Sequence, residues 1–402
     1  MSQPTILQIV PELDTGGAEL SAVEIGDAIV RAGGQALIAT EGGRLEATAV
    51  AQGAEIVRLP AATKNPAGMM LNAFRLARLV RDRNVGLVHA RSRAPAWSAL
   101  WAARQTGRPF VTTYHGAYGE RGPIKRFYNS VMVRADKVIA NSHYTAELIK
   151  QRYRTPDERI RVIHRGVDRA FARDRVTDQR IAQVRSRWGV EAGQKVILQA
   201  ARLTAWKGQS VLIGAAAHLR ERDQLGNAVI VLAGDAQGRD RYRDRLLTEA
   251  AAAGLDRQVR LVGHESDVAA AFAAAHVSVV ASTEPEAFGR AATESQALGC
   301  PVIATRLGAP PETVLAAPDY SAAARTGWLV PPGDKDALAT CVAEALMMDP
   351  VQRNELGERA AAHVQHNFSL QQMKRKTMQV YDELLGCELE KAFISGLGGK
   401  IR

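Results

Sequence analysis

Residues 5–10, TILQIV, form a short apolar run, followed by a turn at 11–17 and a helix-patterned stretch at 18–31 that closes on Gly33-Gly34. Strand, glycine turn and amphipathic helix make one α/β unit. The alternation continues with strands predicted at 36–40, 55–59, 85–89, 110–114 and 138–140, and helices at 69–83 and 97–105. Short apolar strands separated by amphipathic helices predict a parallel sheet covered on both faces.

The pattern pauses over 165–190, a charged segment rich in Arg and Asp, and then restarts. Strands are predicted at 195–200, 228–233, 259–262, 277–281 and 302–305, with helices at 209–220, 240–253 and 290–298. The fold class expected is therefore α/β, with two doubly wound Rossmann-like domains facing a cleft. The domains are placed at 1–170 and 171–368, and a last helix at 369–390 is expected to return to the first domain. Ligands of such sheets sit beyond the carboxyl ends of the strands, so the loops that follow strands are the ones to read.

Composition narrows the function classes. A chain of 402 residues that is 46% hydrophobic can build two cores. No run of eighteen apolar residues occurs, and the first residues lack the charged and apolar regions of a signal peptide, so a cytoplasmic protein is expected. Cys300, Cys341 and Cys387 have no CxxC spacing, which points to free thiols. The net charge of +10 favours anionic partners. With 5% aromatics and no recognisable nucleic-acid motif, phosphorylated small molecules and membrane surfaces stand ahead of nucleic acid, which is not expected as a partner.

Two post-strand loops carry candidate chemistry. In TEPEAFGRAATE, residues 283–294, a turn shaped by Pro285 and Gly289 leads into a helix. The helix start offers unpaired N–H groups that suit a phosphate, and Glu286 and Glu294 flank it as acceptors for vicinal sugar hydroxyls. On spacing alone, Glu286 reads equally well as a helix cap and Glu294 as a solvated helix residue. In ARLTAWKG, residues 201–208, Arg202 and Lys207 lie five apart on a strand-to-helix connection and can converge on one diphosphate; an isolated pair of this kind also reads as surface charge. Gly234, at the end of another strand, permits close approach of backbone to ligand or simply forms a turn.

These loops resemble those of the retaining family 4 glycosyltransferases, which have the two-Rossmann GT-B fold. The resemblance rests on GGAE at 16–19, TTYHG at 112–116, ANS at 140–142, RGVD at 165–168, ARLTAWKG, AGD at 233–235, the acidic loop above, GCPVIAT at 299–305 and TGWLVPPGD at 326–334. It implies a nucleotide-sugar donor and a set of roles. Arg202 and Lys207 would neutralise the leaving diphosphate, Glu294 would hold ribose hydroxyls, and Glu286 would hold those of the donor sugar near the reacting centre. Phe288, Gly289 and Arg290 would line the nucleotide-sugar site with Gly234. Gly16 and Gly17 would let the first helix approach phosphates and acceptor, and His115 would contact the transferred sugar. As a lone residue, His115 reads as an ordinary turn histidine.

A further likeness, of HARSRAPAWSA at 89–99 and TYHGAYGERGPIKRFYNS at 113–130 to lipopolysaccharide-core mannosyltransferases, implies GDP-mannose as donor and an acidic glycolipid or oligosaccharide acceptor. The stripe Ile124, Phe127, Tyr128, Val131 and Met132, beside Lys125, Arg126 and Arg134, fits either an interfacial helix on anionic lipid, with Arg91 and Arg93 on the same face, or a domain helix burying its stripe. That would make the enzyme peripheral at the inner face of the cytoplasmic membrane. No cofactor and no essential metal are expected: Asp334-Lys335-Asp336 matches an Asp-x-Asp pair but sits where a helix cap belongs, and His363 and His366 lack a third ligand. Two other classes share the architecture, a nucleotide-sugar epimerase and a noncatalytic nucleotide-sugar-binding protein. DTGGAE departs from the dinucleotide fingerprint, which weakens a dehydrogenase reading.

Overall fold

The apolar runs become strands that are covered on both faces: every residue of Thr5–Ile9, Phe110–Tyr114 and Val229–Ala233 is buried. The computed structural model describes residues 4–14, 16–119 and 122–398. It divides the chain into two units, one of Met1–His164 with Gln371–Arg402, the other of Arg165–Leu370.

In the first unit, strands β1 (Thr5–Ile9), β2 (Gln35–Thr40), β3 (Glu55–Arg58), β4 (Val85–Ala90), β5 (Phe110–Tyr114), β6 (Lys137–Ala140) and β7 (Ile160–Val162) form a seven-stranded parallel sheet in the order β3-β2-β1-β4-β5-β6-β7. The second unit has β8 (Val196–Ala200), β9 (Val229–Ala233), β10 (Val259–Gly263), β11 (Val277–Val280), β12 (Val302–Thr305) and β13 (Trp328–Val330), all parallel, in the order β10-β9-β8-β11-β12-β13. Both sheets reverse direction beside their first strand, at β1/β4 and at β8/β11. Alternate residues serve opposite faces. Ile197 and Ile230 join one core layer of the second sheet, whereas Val196, Leu198, Val229 and Val231 join the other. Each such side chain contributes about 1.5–3 kcal/mol by leaving water.

Several elements differ from the sequence expectation. The charged pause contains a helix, Asp178–Arg187, started by the Thr177 hydroxyl, which accepts from the Arg180 amide at 3.3 Å. Only Val184 of that helix is buried, so its apolar periodicity was too thin to read. The short helix Glu46–Ala51 and strand Ile160–Val162 were also missed, each with a single buried residue. The chain end carries two helices where one was expected, Leu370–Leu385 and Leu389–Gly398. They are separated at Gly386, with a φ of 62°, and the Asp382 carboxylate accepts from the amides of Leu389 at 2.7 Å and Glu390 at 2.9 Å.

That end is fixed to the first unit by polar contacts. Lys374 bonds Asp27 at 2.5 Å with both side chains buried, and Glu383 accepts from Lys137 at 2.5 Å and Arg161 at 2.6 Å. The Tyr381 hydroxyl lies 2.6 Å from His89 Nδ1, while His89 Nε2 meets Thr113 Oγ1 at 2.8 Å. Burial holds His89 well below its ordinary value, and hence neutral, and pushes Tyr381 up to about 12.

Candidate active site

The loops after β8 and β11 meet at the second sheet's reversal point, where ligands of open parallel sheets bind. The Thr283 amide donates to the Trp206 carbonyl at 2.7 Å and joins the two loops, and the Gln199 side chain on β8 donates from Nε2 to the Lys207 carbonyl at 2.6 Å. Gly208 is required twice over, by a φ of +74° and because a Cβ there would lie 1.9 Å from the Ala281 carbonyl oxygen. Gly234 has a comparable reason. A Cβ on it would lie 1.9 Å from the Ala201 carbonyl oxygen, so the backbone whose approach it permits is that of the β8 loop.

Four of the candidate side chains fall into two acid–cation pairs. Lys207 Nζ donates to Glu286 Oε1, and the same oxygen accepts from Ser282 Oγ at 2.6 Å. Lys207 also lies 4.3 Å above the Trp206 ring, a cation–π contact. Glu286 is 8% exposed and is not a helix cap, because the helix Arg290–Ala297 has Gly289 at that position and no side-chain cap. Glu294 is likewise 8% exposed and so not a solvated residue; it accepts from Arg290 at 2.5 Å. Arg202 is exposed and makes no ion pair among the described residues. The arrangement offers one open guanidinium, a buried acid that already holds a cation, and a second buried acid one helix turn beyond Gly289.

The side chain of Phe288 packs inward with Val167, Val364 and Phe368, its ring 5.9 Å from that of Phe368. The ring anchors the loop that leads into the helix Arg290–Ala297. Gly289, with a φ of +81°, supplies the left-handed residue that starts the helix.

Gly16, Gly17 and His115 belong to the first unit. Gly16 precedes the helix Gly17–Arg31 without a side-chain cap, and the Glu19 carboxylate fills the space where its Cβ would stand, 2.0 Å from Oε2. His115 directly follows β5 and is half-buried. Arg91 does not lie on a basic surface as the pattern suggested. It is 2% exposed and donates to Gln8 Oε1 at 2.7 Å and Ser21 Oγ at 3.0 Å. Arg93 is occupied with Asn129 Oδ1 at 2.8 Å and with the Tyr118 ring, 4.0 Å below its guanidinium. The amphipathic stripe splits: Val131 and Met132 are fully buried, whereas Ile124 and Phe127 are 85% and 60% exposed.

Asp334 Oδ1 accepts from the Ala337 amide at 2.9 Å as a helix cap, and Asp336 pairs with Arg222 at 2.7 Å and His218 at 3.0 Å. Sequence reading passed over Ser282 and Trp206. Ser282 follows an apolar strand and precedes an acid by four residues, a signal too common to single it out.

Residues 15–171 match the Glycosyltransferase Family 4 model and residues 181–363 match Glycosyl transferases group 1. A glycosyltransferase from Rickettsia africae ESF-5 is 31% identical, with a TM-score of 0.85 over 96% of this chain and 99% of that one. The chain belongs to the family 4 glycosyltransferases. Curated relatives include a D-inositol 3-phosphate glycosyltransferase of Arthrobacter sp. (strain FB24), 31% identical over 73% of this chain and 70% of that protein. The protein of the same name from Corynebacterium efficiens is 30% identical over 64% of this family 4 chain, and the match spans 58% of that relative, less than two thirds of its length. All three relatives are glycosyltransferases by name, which does not favour the epimerase alternative. No helix among the described residues of this glycosyltransferase is long and apolar enough to cross a membrane.

Proposed function

We propose that this chain transfers a hexosyl group, with retention, from a nucleotide sugar to a phosphate-bearing or otherwise acidic acceptor. The supporting observation is that Lys207, on the loop after β8, is bonded to Glu286, on the loop after β11, with Arg202 exposed on the first loop and Glu294 buried on the helix that follows the second. Departure of the diphosphate builds negative charge on its oxygens and positive charge at the anomeric carbon. Arg202 and Lys207 are the cations to meet the first, and such preorganised charge is where rate comes from. Glu294 accepts from the ribose hydroxyls and Glu286 from those of the sugar, and His115 contacts the transferred sugar. The bond from anomeric carbon to phosphate oxygen breaks and the bond to the acceptor oxygen forms on the same face, with the acceptor proton passing to the departing phosphate. None of these steps calls for a metal.

For the acceptor, the names of the inositol phosphate relatives and the +10 net charge both favour a phosphorylated polyol or glycolipid. Mannose from GDP-mannose is the donor suggested by the likeness of 89–99 and 113–130 to lipopolysaccharide-core mannosyltransferases. Exposed Ile124 and Phe127 beside Lys125 and Arg126 support contact with an anionic membrane surface, and flotation with anionic against neutral vesicles tests that part. The reading as a whole is tested by a thermal-shift panel of UDP, GDP and ADP with UDP-glucose, GDP-mannose and ADP-glucose. A ligand at a hundred times its Kd stabilises the fold by about 2.7 kcal/mol. One base should raise the melting temperature above the others, and a flat panel would remove the reading.

A further inference from the structure

The acid expected to hold the sugar is itself held, and only on one side. Glu286 Oε1 receives two donors, Ser282 Oγ at 2.6 Å and Lys207 Nζ, which occupy the two lone pairs of a carboxylate oxygen. Oε2 accepts no hydrogen bond from any described residue. We propose that Ser282 is a positioning residue that, with Lys207, commits Oε1 to the protein and so presents Oε2 as the acceptor for a hydroxyl of the transferred sugar. This rests on the function proposed above.

The surroundings leave Ser282 little choice. Its exposure is 0%, and its carbonyl accepts from Thr305 Oγ1 at 2.9 Å, so its main chain is tied to β12. Glu286 is fixed at its other end as well, where its carbonyl accepts from the Ala309 amide at 2.9 Å. With backbone and one oxygen both restrained, the remaining freedom is rotation about the terminal carboxylate torsion, which is soft. A lysine ammonium bonds either oxygen equally well, being a mobile point charge with rotatable donors. Only the hydroxyl of Ser282, approaching from inside the fold, tells the two oxygens apart. Without it Lys207 and the sugar compete for both.

The same geometry says what Ser282 does not touch. Its hydroxyl is spent on Glu286, so the diphosphate should be gripped as well without it as with it. Loss of a hydrogen bond to a charged group should therefore appear in the sugar arm alone, at about tenfold or more. The test measures binding of UDP, GDP and ADP by calorimetry, and kcat and KM with UDP-glucose, GDP-mannose and ADP-glucose. It uses wild type, Ser282→Ala, Ser282→Thr, Glu286→Gln and the double variant Ser282→Ala/Glu286→Gln.

The expected result is a diphosphate Kd within about twofold of wild type in Ser282→Ala and Ser282→Thr, at the resolution of such cycles. Against that, kcat/KM for the active nucleotide sugar falls at least tenfold in Ser282→Ala and Glu286→Gln, and recovers in Ser282→Thr, which restores the hydroxyl. Because Ser282 acts through Glu286, the double variant should be no worse than Glu286→Gln alone. Glu286→Gln keeps the side chain's size, so the comparison survives should Ser282→Ala fold poorly. Equal loss of diphosphate and sugar-nucleotide binding, indistinguishable Ala and Thr variants, or additive losses in the double variant each overturn the role of Ser282 while leaving the glycosyl transfer intact. A folded wild type that binds and turns over none of the six ligands overturns the function itself, and this inference with it.

Discussion

Arg91 and Arg202 each stand within two residues of a strand's carboxyl end, at the reversal point of its own parallel sheet, yet they have opposite fates. Arg91, after β4, is 2% exposed and bonded to Gln8 and Ser21, in a buried polar layer that also holds His89 and Tyr381. Arg202, after β8, is exposed and free of ion pairs among the described residues. The difference lies in what covers each strand end. In the first unit the returning chain end lays Lys374, Tyr381 and Glu383 against the sheet and its first helix, and polar groups turn inward to meet them. The second unit has loops there instead, and the polar groups line those loops. One unit buries its charge in contacts with its own chain end, whereas the other leaves Arg202 exposed on the loop after β8.

Five substitutions or titrations break or sharpen that contrast. The largest effect should follow Asp27→Ala, which strands Lys374 in a site where both partners are buried. A loss of about 3–5 kcal/mol is expected, read as a lower urea midpoint, with turnover per folded molecule retained. Lys207→Ala should do the reverse: the melting temperature stays close to wild type while kcat drops about 10²–10³-fold, the size of losing one preorganised contact to developing charge. If Lys207→Ala instead unfolded the protein with normal specific activity, the second unit's pair would be architectural and the contrast would vanish.

Glu294→Ala comes next, with diphosphate Kd rising about tenfold in calorimetry, as expected for one lost charge-assisted bond. His115→Ala should lower kcat more than it weakens binding. The smallest effect is a pH dependence. Burial, with Arg353, Lys195 and Arg185 nearby, pulls His276 down to about 4, and its Nδ1 accepts from the Val196 amide at 3.2 Å. The folded state therefore refuses a proton that the unfolded chain takes up near its ordinary value of 6.5. Stability contributed by neutral His276 is whole above that value and declines as the pH falls toward about 4. Urea melts across this window should show a shallower decline in His276→Asn, which keeps an acceptor at that place and has no proton to gain.

Much of the fold was legible because buried parallel strands leave near-continuous apolar runs. Phe110–Tyr114 and Val302–Thr305 were placed with their observed ends. Three of the misses share a cause: Asp178–Arg187, Glu46–Ala51 and Ile160–Val162 each bury one residue, so nothing periodic marks them, whereas His143–Tyr153, Val268–Ala274 and Trp328–Val330 bury more and were also passed over. In the candidate site, the identities of the acids and cations could be read from the two loops, but their partners could not. Glu286 and Lys207 are 79 residues apart in sequence and bonded in space, and Ser282 joins them from a position that looked like the end of a strand.

By itself the sequence determined two parallel α/β sheets, because alternating apolar strands and amphipathic helices have few other ways to leave water. It also determined which loops would carry acids and cations, since strand ends are fixed once the strands are. Only the tertiary structure decided which charges would face inward, where the Phe288 ring would pack, and which oxygen of Glu286 would stay open. A charge's role depends on the neighbours that desolvate or bond it, and those come from strands and helices far away along the chain.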